Sequence, residues 1–294
     1  MKKSMFLALI AVIVIASQAF GQFRDNVNMS IFTGAYMAQE NANNRGYWYG
    51  VYGEYMPIKT KKGLNLGFSV VADQVAFKSN TTISSYNGSS TEFGAGLAAG
   101  KYSEYLTQKY SSYIGVNLMV KNTKDTGVGK SIQKDGKIGT YTATQEDLMF
   151  SAELNINLLK TFGIREQLFP RSQVEIGYSK PFKSEKVSFW NNAPIKESMI
   201  WNKAAFSAKF KQSICQIGQM NTLIEPKLMV GYVNYVGDNS KWISVGPEIS
   251  LKKRGWDDFF SCYAFIKKQV GNYEPNMNST QFVLGINFQP FNIK

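Results

Sequence analysis

The chain contains no histidine and only two cysteines among its 294 residues. Imidazole is the general base of serine triads and the commonest metal ligand among side chains, so its absence argues against both kinds of site. No calcium-loop motif is present. After residue 20, no apolar run approaches the roughly 20 residues that a membrane-spanning helix needs. We therefore expect no enzymatic activity, no bound metal and no cofactor.

Two glycine-rich stretches resemble nucleotide-binding motifs only in part. "GVGKS", residues 127–131, lacks the spacing of a phosphate-binding loop, and we predict that it lies in a long polar loop. "GAGLAAG", residues 94–100, has its glycines at alternate positions of a predicted strand, with no helix after it. Neither stretch predicts a nucleotide site.

The first residues have the pattern of a secretory signal peptide. Two lysines precede an apolar run over 5–16, and a small-residue cleavage pattern follows at 19–21. The run is short for a membrane span. We predict a cleaved signal peptide at 1–21 and one domain over 22–294. Gln22 as the first mature residue, after a Lys-Lys start, resembles exported proteins of the Bacteroidota.

Alternation of apolar and polar residues recurs along the rest of the chain. In "EDLMFSAELNINLLK", residues 146–160, Phe150 and Leu154 share one face and Glu153 and Asn155 share the other. This is the period of a β-strand, because successive strand side chains point to opposite sides. The same pattern predicts twelve strands of about ten residues, at 27–37, 47–56, 64–74, 92–101, 110–121, 147–158, 172–181, 200–212, 223–235, 241–251, 258–267 and 280–289.

Three features favour a membrane barrel over a soluble sandwich. Soluble strands average five or six residues, whereas a tilted strand that crosses a bilayer needs about 9–11. The predicted connections mostly alternate between long and short, as expected when one end of a barrel carries outer loops. Aromatic residues make up 14% of the chain and cluster near strand ends, for example at 47–49, Trp242 and Phe288, where the two bilayer interfaces would lie.

The final stretch "TQFVLGINFQPF", residues 280–291, resembles the closing strand of Gram-negative outer-membrane β-barrel proteins. In that family the strand alternates apolar residues and finishes on an aromatic near the C-terminus, and Phe288 fits this position best. Pro290 and the tail to Lys294 depart from the pattern. The resemblance implies an all-β fold, a single antiparallel up-and-down transmembrane barrel in the outer membrane. It also implies insertion by the outer-membrane assembly machinery.

The predicted lumen residues lie on the face opposite the apolar one. They are Glu54, Asp73, Glu153, Asn155, Glu175, Lys203, Lys209, Lys211, Glu225, Lys227 and Glu248. Six acids and four lysines nearly balance, whereas the mature chain has a net charge of +10, since removing the two N-terminal lysines lowers the +12 of the full chain. These charges either line a water-filled pore or pair and close it, and a folded-in loop 122–146 is another way to plug the lumen.

Two further expectations concern the cysteines and the basic segments. Cys215 and Cys262 lie three predicted strands apart, beyond the ~7 Å reach of a disulfide. We expect free thiols, with a disulfide as the alternative. The basic excess falls at 59–62 and 252–254, so anionic lipid head groups or lipopolysaccharide phosphates are expected partners, and nucleic acid is not.

The function favoured by this pattern is a passive channel for small polar solutes. The main alternative is a non-conducting barrel that presents loops to an unknown protein partner or anchors an envelope assembly. A soluble exported β-protein is the third interpretation. The sequence names neither a solute nor a partner.

Overall fold

A computed structural model describes the chain over thirteen ranges, separated by short gaps. These are residues 27–39, 43–61, 63–80, 84–102, 113–132, 136–158, 172–195, 204–215, 217–218, 222–236, 240–253, 258–270 and 280–291. The predicted signal peptide lies outside them. Over these ranges no helix is long and apolar enough to cross a bilayer.

The described residues form thirteen β-strands. They are β1 Val27–Ala38, β2 Arg45–Lys59, β3 Leu64–Asn80, β4 Ser84–Tyr102, β5 Tyr113–Ile132, β6 Ile138–Leu158, β7 Ser172–Trp190, β8 Ala193–Ile195, β9 Ala205–Ser213, β10 Thr222–Tyr235, β11 Ser240–Lys253, β12 Asp258–Val270 and β13 Thr280–Phe291.

Twelve of these strands close into a barrel. Each long strand pairs antiparallel with its neighbours in the chain, β6 pairs with β7, and β1 pairs with β13 to complete the circle. The three-residue β8 pairs only with the end of β7. This confirms the predicted all-β, up-and-down architecture and its twelve wall strands.

The outward face of the wall carries rows of exposed apolar residues. On β5, Ile114, Val116, Leu118 and Val120 are 41–53% exposed, and Leu284 on β13 is 63% exposed. Large apolar side chains rarely remain this exposed in rows on a soluble surface. The outward face is therefore an apolar band, on the side that the alternation predicts.

Packing is confined to the wall, because a barrel has no central apolar core. Val27, Met29 and Val51 form a small buried cluster on the outward side of β1 and β2. On the lumen side the buried residues are largely polar, and they bond to one another across strands. Ser69 Oγ, for example, donates to Asn117 Oδ1 at 2.6 Å.

Strands β3 to β7 are much longer than predicted, at 17 to 21 residues. The stretch 122–146, expected to be a loop and a candidate plug, is a paired hairpin that runs from Asn122↔Leu148 to Ile132↔Ile138. "GVGKS" therefore lies within β5 and not in a loop, which corrects that prediction. Outside lipid an outward face need not be apolar, so the alternation ends while backbone pairing continues.

These long strands project from one end of the barrel. Because the number of wall strands is even, β1 begins and β13 ends at the same end, which we call the terminal end. The long strands project at the opposite, distal end. We call the projecting ends of β3 to β8 the distal extension. It begins at residue 75 on β3 and ends at residue 195 on β8, and it leaves out the parts of these strands that form the barrel. It is a partial wall, because β9 pairs with β7 only as far as Ser179↔Ala205.

The two cysteines lie on separate parts of the wall. Cys215 follows β9 and Cys262 lies in β12, three positions away in the strand order. Both are free in the structure.

Candidate functional site: the barrel lumen

The lumen holds a cavity of about 520 Å³ whose lining comes from strands all around the barrel. Most of the lining side chains are polar or charged, which suits water and polar solutes. Seven of the residues predicted for the lumen line this cavity. They are Glu54, Glu153, Asn155, Glu175, Lys209, Lys211 and Glu248.

The remaining predicted lumen residues occupy different places. Glu225 and Lys227 are fully buried in the wall beside this cavity. Asp73 lies nearer the distal end, where it pairs in register with Glu92. The carboxylate of Glu92 accepts a hydrogen bond from Lys121 at 2.7 Å. Lys203 lies outside the described residues.

Six charged side chains form a connected series along β7, β9, β10 and β11, which we call the ion ladder. Its members are Glu175, Lys209, Lys211, Glu225, Lys227 and Glu248. Their side chains share the lumen face because the barrel register places Glu175 opposite Lys209, Lys227 opposite Ser213, and Glu248 opposite Lys227. Three lysines and three glutamates leave the ladder electrically neutral.

Each contact in the ladder joins a lysine to a glutamate. Lys209 donates to Glu175 across neighbouring strands. Lys211 Nζ lies 3.8 Å from Glu175 Oε1 and 3.0 Å from Glu248 Oε2. Lys227 Nζ lies 3.5 Å from Glu248 Oε1 and 3.6 Å from Glu225 Oε2.

Burial deepens along the ladder. The side chains of Lys209 and Glu175 are 41% and 30% exposed to the cavity, whereas those of Lys227 and Glu225 are 1% and 0% exposed. Buried charge needs a partner and further hydrogen bonds. Ser213 Oγ supplies one to Glu225 at 2.6 Å. The charges pair within one strand or with residues one or two strands away, along the wall, and the cavity lies beside them.

The side of the cavity formed by β1, β2, β5 and β6 is different. Glu54 accepts hydrogen bonds from Asn28 and from the hydroxyl of Tyr52, and Glu153 accepts one from Asn155 at 3.0 Å. Among the described residues no lysine or arginine pairs with either glutamate. The cavity wall therefore carries a neutral ladder and, apart from it, two acids that no cation of the described residues pairs.

Aromatic rings lie flat on the lumen wall over glycines, a feature that the sequence analysis missed. Trp48 stands directly opposite Gly34 in the register, and its ring occupies the space that a Cβ on Gly34 would need. Tyr263 covers Gly285 in the same way. Rings held against the sheet extend less far into the lumen than rings that stand away from it. Their signal is an aromatic directly across from a glycine, which is visible only once the register is known.

The comparisons with known proteins were made by family, by sequence and by structure. No family model matches the chain, and no curated protein matches it either. Solved structures do match. The β domain of the Bordetella autotransporter BrkA superposes with a TM-score of 0.54 at 10% identity, covering 90% of this chain and 99% of that one.

The translocator domain of the autotransporter NalP from Neisseria meningitidis gives a TM-score of 0.53 at 10% identity, covering 99% of this chain and 98% of that one. The fold is that of an outer-membrane β-barrel. This confirms the resemblance carried by the closing strand, although identities this low speak for the fold alone. In barrels of this fold the outward apolar band is the surface that contacts lipid.

Proposed function

We propose that this outer-membrane barrel is a passive channel for small polar solutes. The observation that carries the proposal is the placement of the lumen groups. The ladder charges pair along the wall and the rings lie flat on it, so a polar cavity of about 520 Å³ remains beside them. Charges arranged in this way can act on a passing ion without blocking its path.

The proposed channel prefers cations weakly. The ion ladder has no net charge, so it attracts neither sign of ion strongly. Glu54 on β2 and Glu153 on β6 add two negative charges to the cavity wall outside the ladder. The net field in the cavity is therefore negative, and rings of acidic side chains favour cations.

Planar-bilayer recordings test this function. The wild-type barrel should show steady conductance, and Glu153→Gln should lower its cation preference because one lumen charge is lost. The control is Glu146→Gln, which removes an exposed acid from the outward face, where it pairs with Lys124 at 2.5 Å. That variant should leave selectivity unchanged. A folded wild-type barrel that never conducts would contradict the proposal.

The second candidate is a non-conducting barrel that serves a surface partner or an envelope assembly. The observation that favours it is the distal extension, a partial wall of paired strands that lies outside the apolar band. Long projecting segments are typical of the extracellular end of such barrels, so we place the distal end outside the cell. Silent bilayers together with correct folding would favour this function over the channel.

The lysines at the two ends of the barrel suit contact with anionic lipids. Of the basic segments, Lys59 ends β2, and Lys252 and Lys253 end β11, at the terminal end, opposite the distal extension. With the distal end outside, these lysines face phospholipid head groups of the inner leaflet. We propose that lysines on the outward face of the distal extension, such as Lys124, contact lipopolysaccharide phosphates. Insertion by the outer-membrane assembly machinery is likewise proposed from the closing strand.

A further inference from the structure

A row of aromatic side chains crosses the inner face of the distal extension. Tyr86 on β4, Gly129 on β5, Tyr141 on β6 and Trp190 on β7 are successive partners in the register. Phe77 on β3 lies beside Tyr86. The ring centroids follow one another at 5.8 Å from Phe77 to Tyr86, at 6.5 Å to Tyr141 and at 6.5 Å to Trp190. We call these four rings the aromatic strip.

Three of the rings rest on glycines of the next strand. Phe77 occupies the space above Gly88, Tyr86 the space above Gly127 and Trp190 the space above Gly139. One face of each ring is thus held against the sheet. All four side chains are only partly buried. Among the described residues, the pairing of β9 with the neighbouring β7 begins at Ala205, below this level. Part of each ring therefore remains exposed on the inner face of the distal extension.

A row of polar side chains runs parallel to the strip, on its barrel side. Ser90, Asp125, Gln145 and Lys186 are successive partners across β4 to β7. Between this row and Tyr86 and Tyr141 lie only small residues, Gly127 and Ala143 among them. Ser90, Asp125 and Lys186 are partly exposed. The inner face of the distal extension therefore offers ring faces and hydrogen-bonding groups side by side.

We propose that the aromatic strip and this polar row form a binding site for a saccharide chain. The face of an aromatic ring is electron-rich and attracts the C–H groups on the face of a pyranose. The hydroxyls at the pyranose edge then reach the polar row. The strip is not flat, since successive ring planes turn by 29°, 39° and 48°. A jointed chain of sugar rings follows such a surface, whereas one rigid planar ligand does not.

Isothermal titration of the full-length folded barrel in detergent tests the site with four hexasaccharides, namely maltohexaose, cellohexaose, mannohexaose and hexagalacturonate. We expect at least one of them to bind. Tyr141→Leu should weaken that binding about ten-fold, because one of the four ring faces that hold the saccharide is lost. Tyr141 is the variant of choice because it is not among the nearest neighbours of any described glycine, and Leu keeps its apolar bulk.

The matched control is Thr142→Leu, one residue along β6 on the outward face, which should bind as the wild type does. Trp190→Phe keeps a ring over Gly139 and should retain most of the affinity. Absence of binding to all four hexasaccharides by a barrel with normal heat-modifiable migration would overturn the proposal, and so would binding that Tyr141→Leu leaves unchanged. The site does not depend on conduction, so bilayer recordings neither support nor contradict it.

Discussion

Lys211 Nζ lies 3.0 Å from Glu248 Oε2, although β10 separates the strands that carry them. The long side chain of Lys211 passes over the intervening strand on the lumen side, and it also approaches Glu175 at 3.8 Å. This contact joins the exposed half of the ion ladder to the buried half. The ladder is therefore one connected unit, and removing a charge from its buried half should affect the whole wall.

Replacing Lys227 should destabilise the barrel. Lys227→Met leaves Glu225 and Glu248 buried without the cation between them, and breaking a buried ion pair costs about 3–5 kcal/mol. Urea titration of the barrel in lipid vesicles measures the loss in free energy of unfolding. The folded fraction at each urea concentration is read from heat-modifiable migration on a gel. The exposed pair of Lys124 and Glu146 provides the control, since Lys124→Met should cost about 0–1 kcal/mol.

A double variant separates unpaired charge from lost packing in that experiment. Adding Glu225→Gln to Lys227→Met removes one of the stranded carboxylates. The double variant should therefore regain part of the lost free energy of unfolding. A double variant that is less stable than Lys227→Met would argue against a network held by charge.

The outward and lumen faces of β6 should tolerate charge very differently. Leu154 pairs with Val116 and Ile176 on the outward side, while its neighbour Asn155 lines the cavity. Leu154→Arg should lower the free energy of unfolding by about 2–4 kcal/mol, because the charge meets lipid near the midplane. Asn155→Arg should cost much less. Equal losses in vesicle-refolding experiments would contradict the assignment of faces.

Glycines of the wall should differ in their tolerance of a single methyl group. A Cβ on Gly246 would overlap the carbonyl oxygen of Ala264 on the next strand, which only a backbone shift can relieve. Gly246→Ala should cost roughly 1–3 kcal/mol, the usual cost of overpacking. At Gly53 the nearest atom is 3.6 Å away, on Val70, so Gly53→Ala should stay within about 0.5 kcal/mol. Comparing the two refolding midpoints checks the pair.

The purified barrel should have no hydrolase activity. The chain has no histidine to act as a base, so lipase, esterase and protease substrates should remain uncut. Ser207 and Glu153 are the test positions, since both share the lumen face. Activity in the wild type that disappears in Ser207→Ala or Glu153→Gln would show that the exclusion is wrong.

Within the lipid-crossing part, the sequence allowed a close prediction of the fold. Phe150 and Leu154 were assigned to one face and Glu153 and Asn155 to the other, and the register places them so. Lipid demands apolar side chains at every second position, so strand, face and length can all be read there. The same logic failed over 122–146, because the outward positions there are largely polar and such a composition is typical of a loop.

The alternation along the chain thus determined the strands of the wall and the face of the residues within them, while strand length, connection length and aromatic placement favoured a barrel of about twelve strands. Tertiary structure alone decided which charges meet. Trp48 covers Gly34 because the register of β1 and β2 places them opposite each other. Lys211 contacts Glu248 because pairing brings β9 and β11 to the two sides of β10. Side-chain direction repeats every two residues and depends only on the local sequence. Register depends on how one strand pairs with the next, which the alternation within a single strand does not fix.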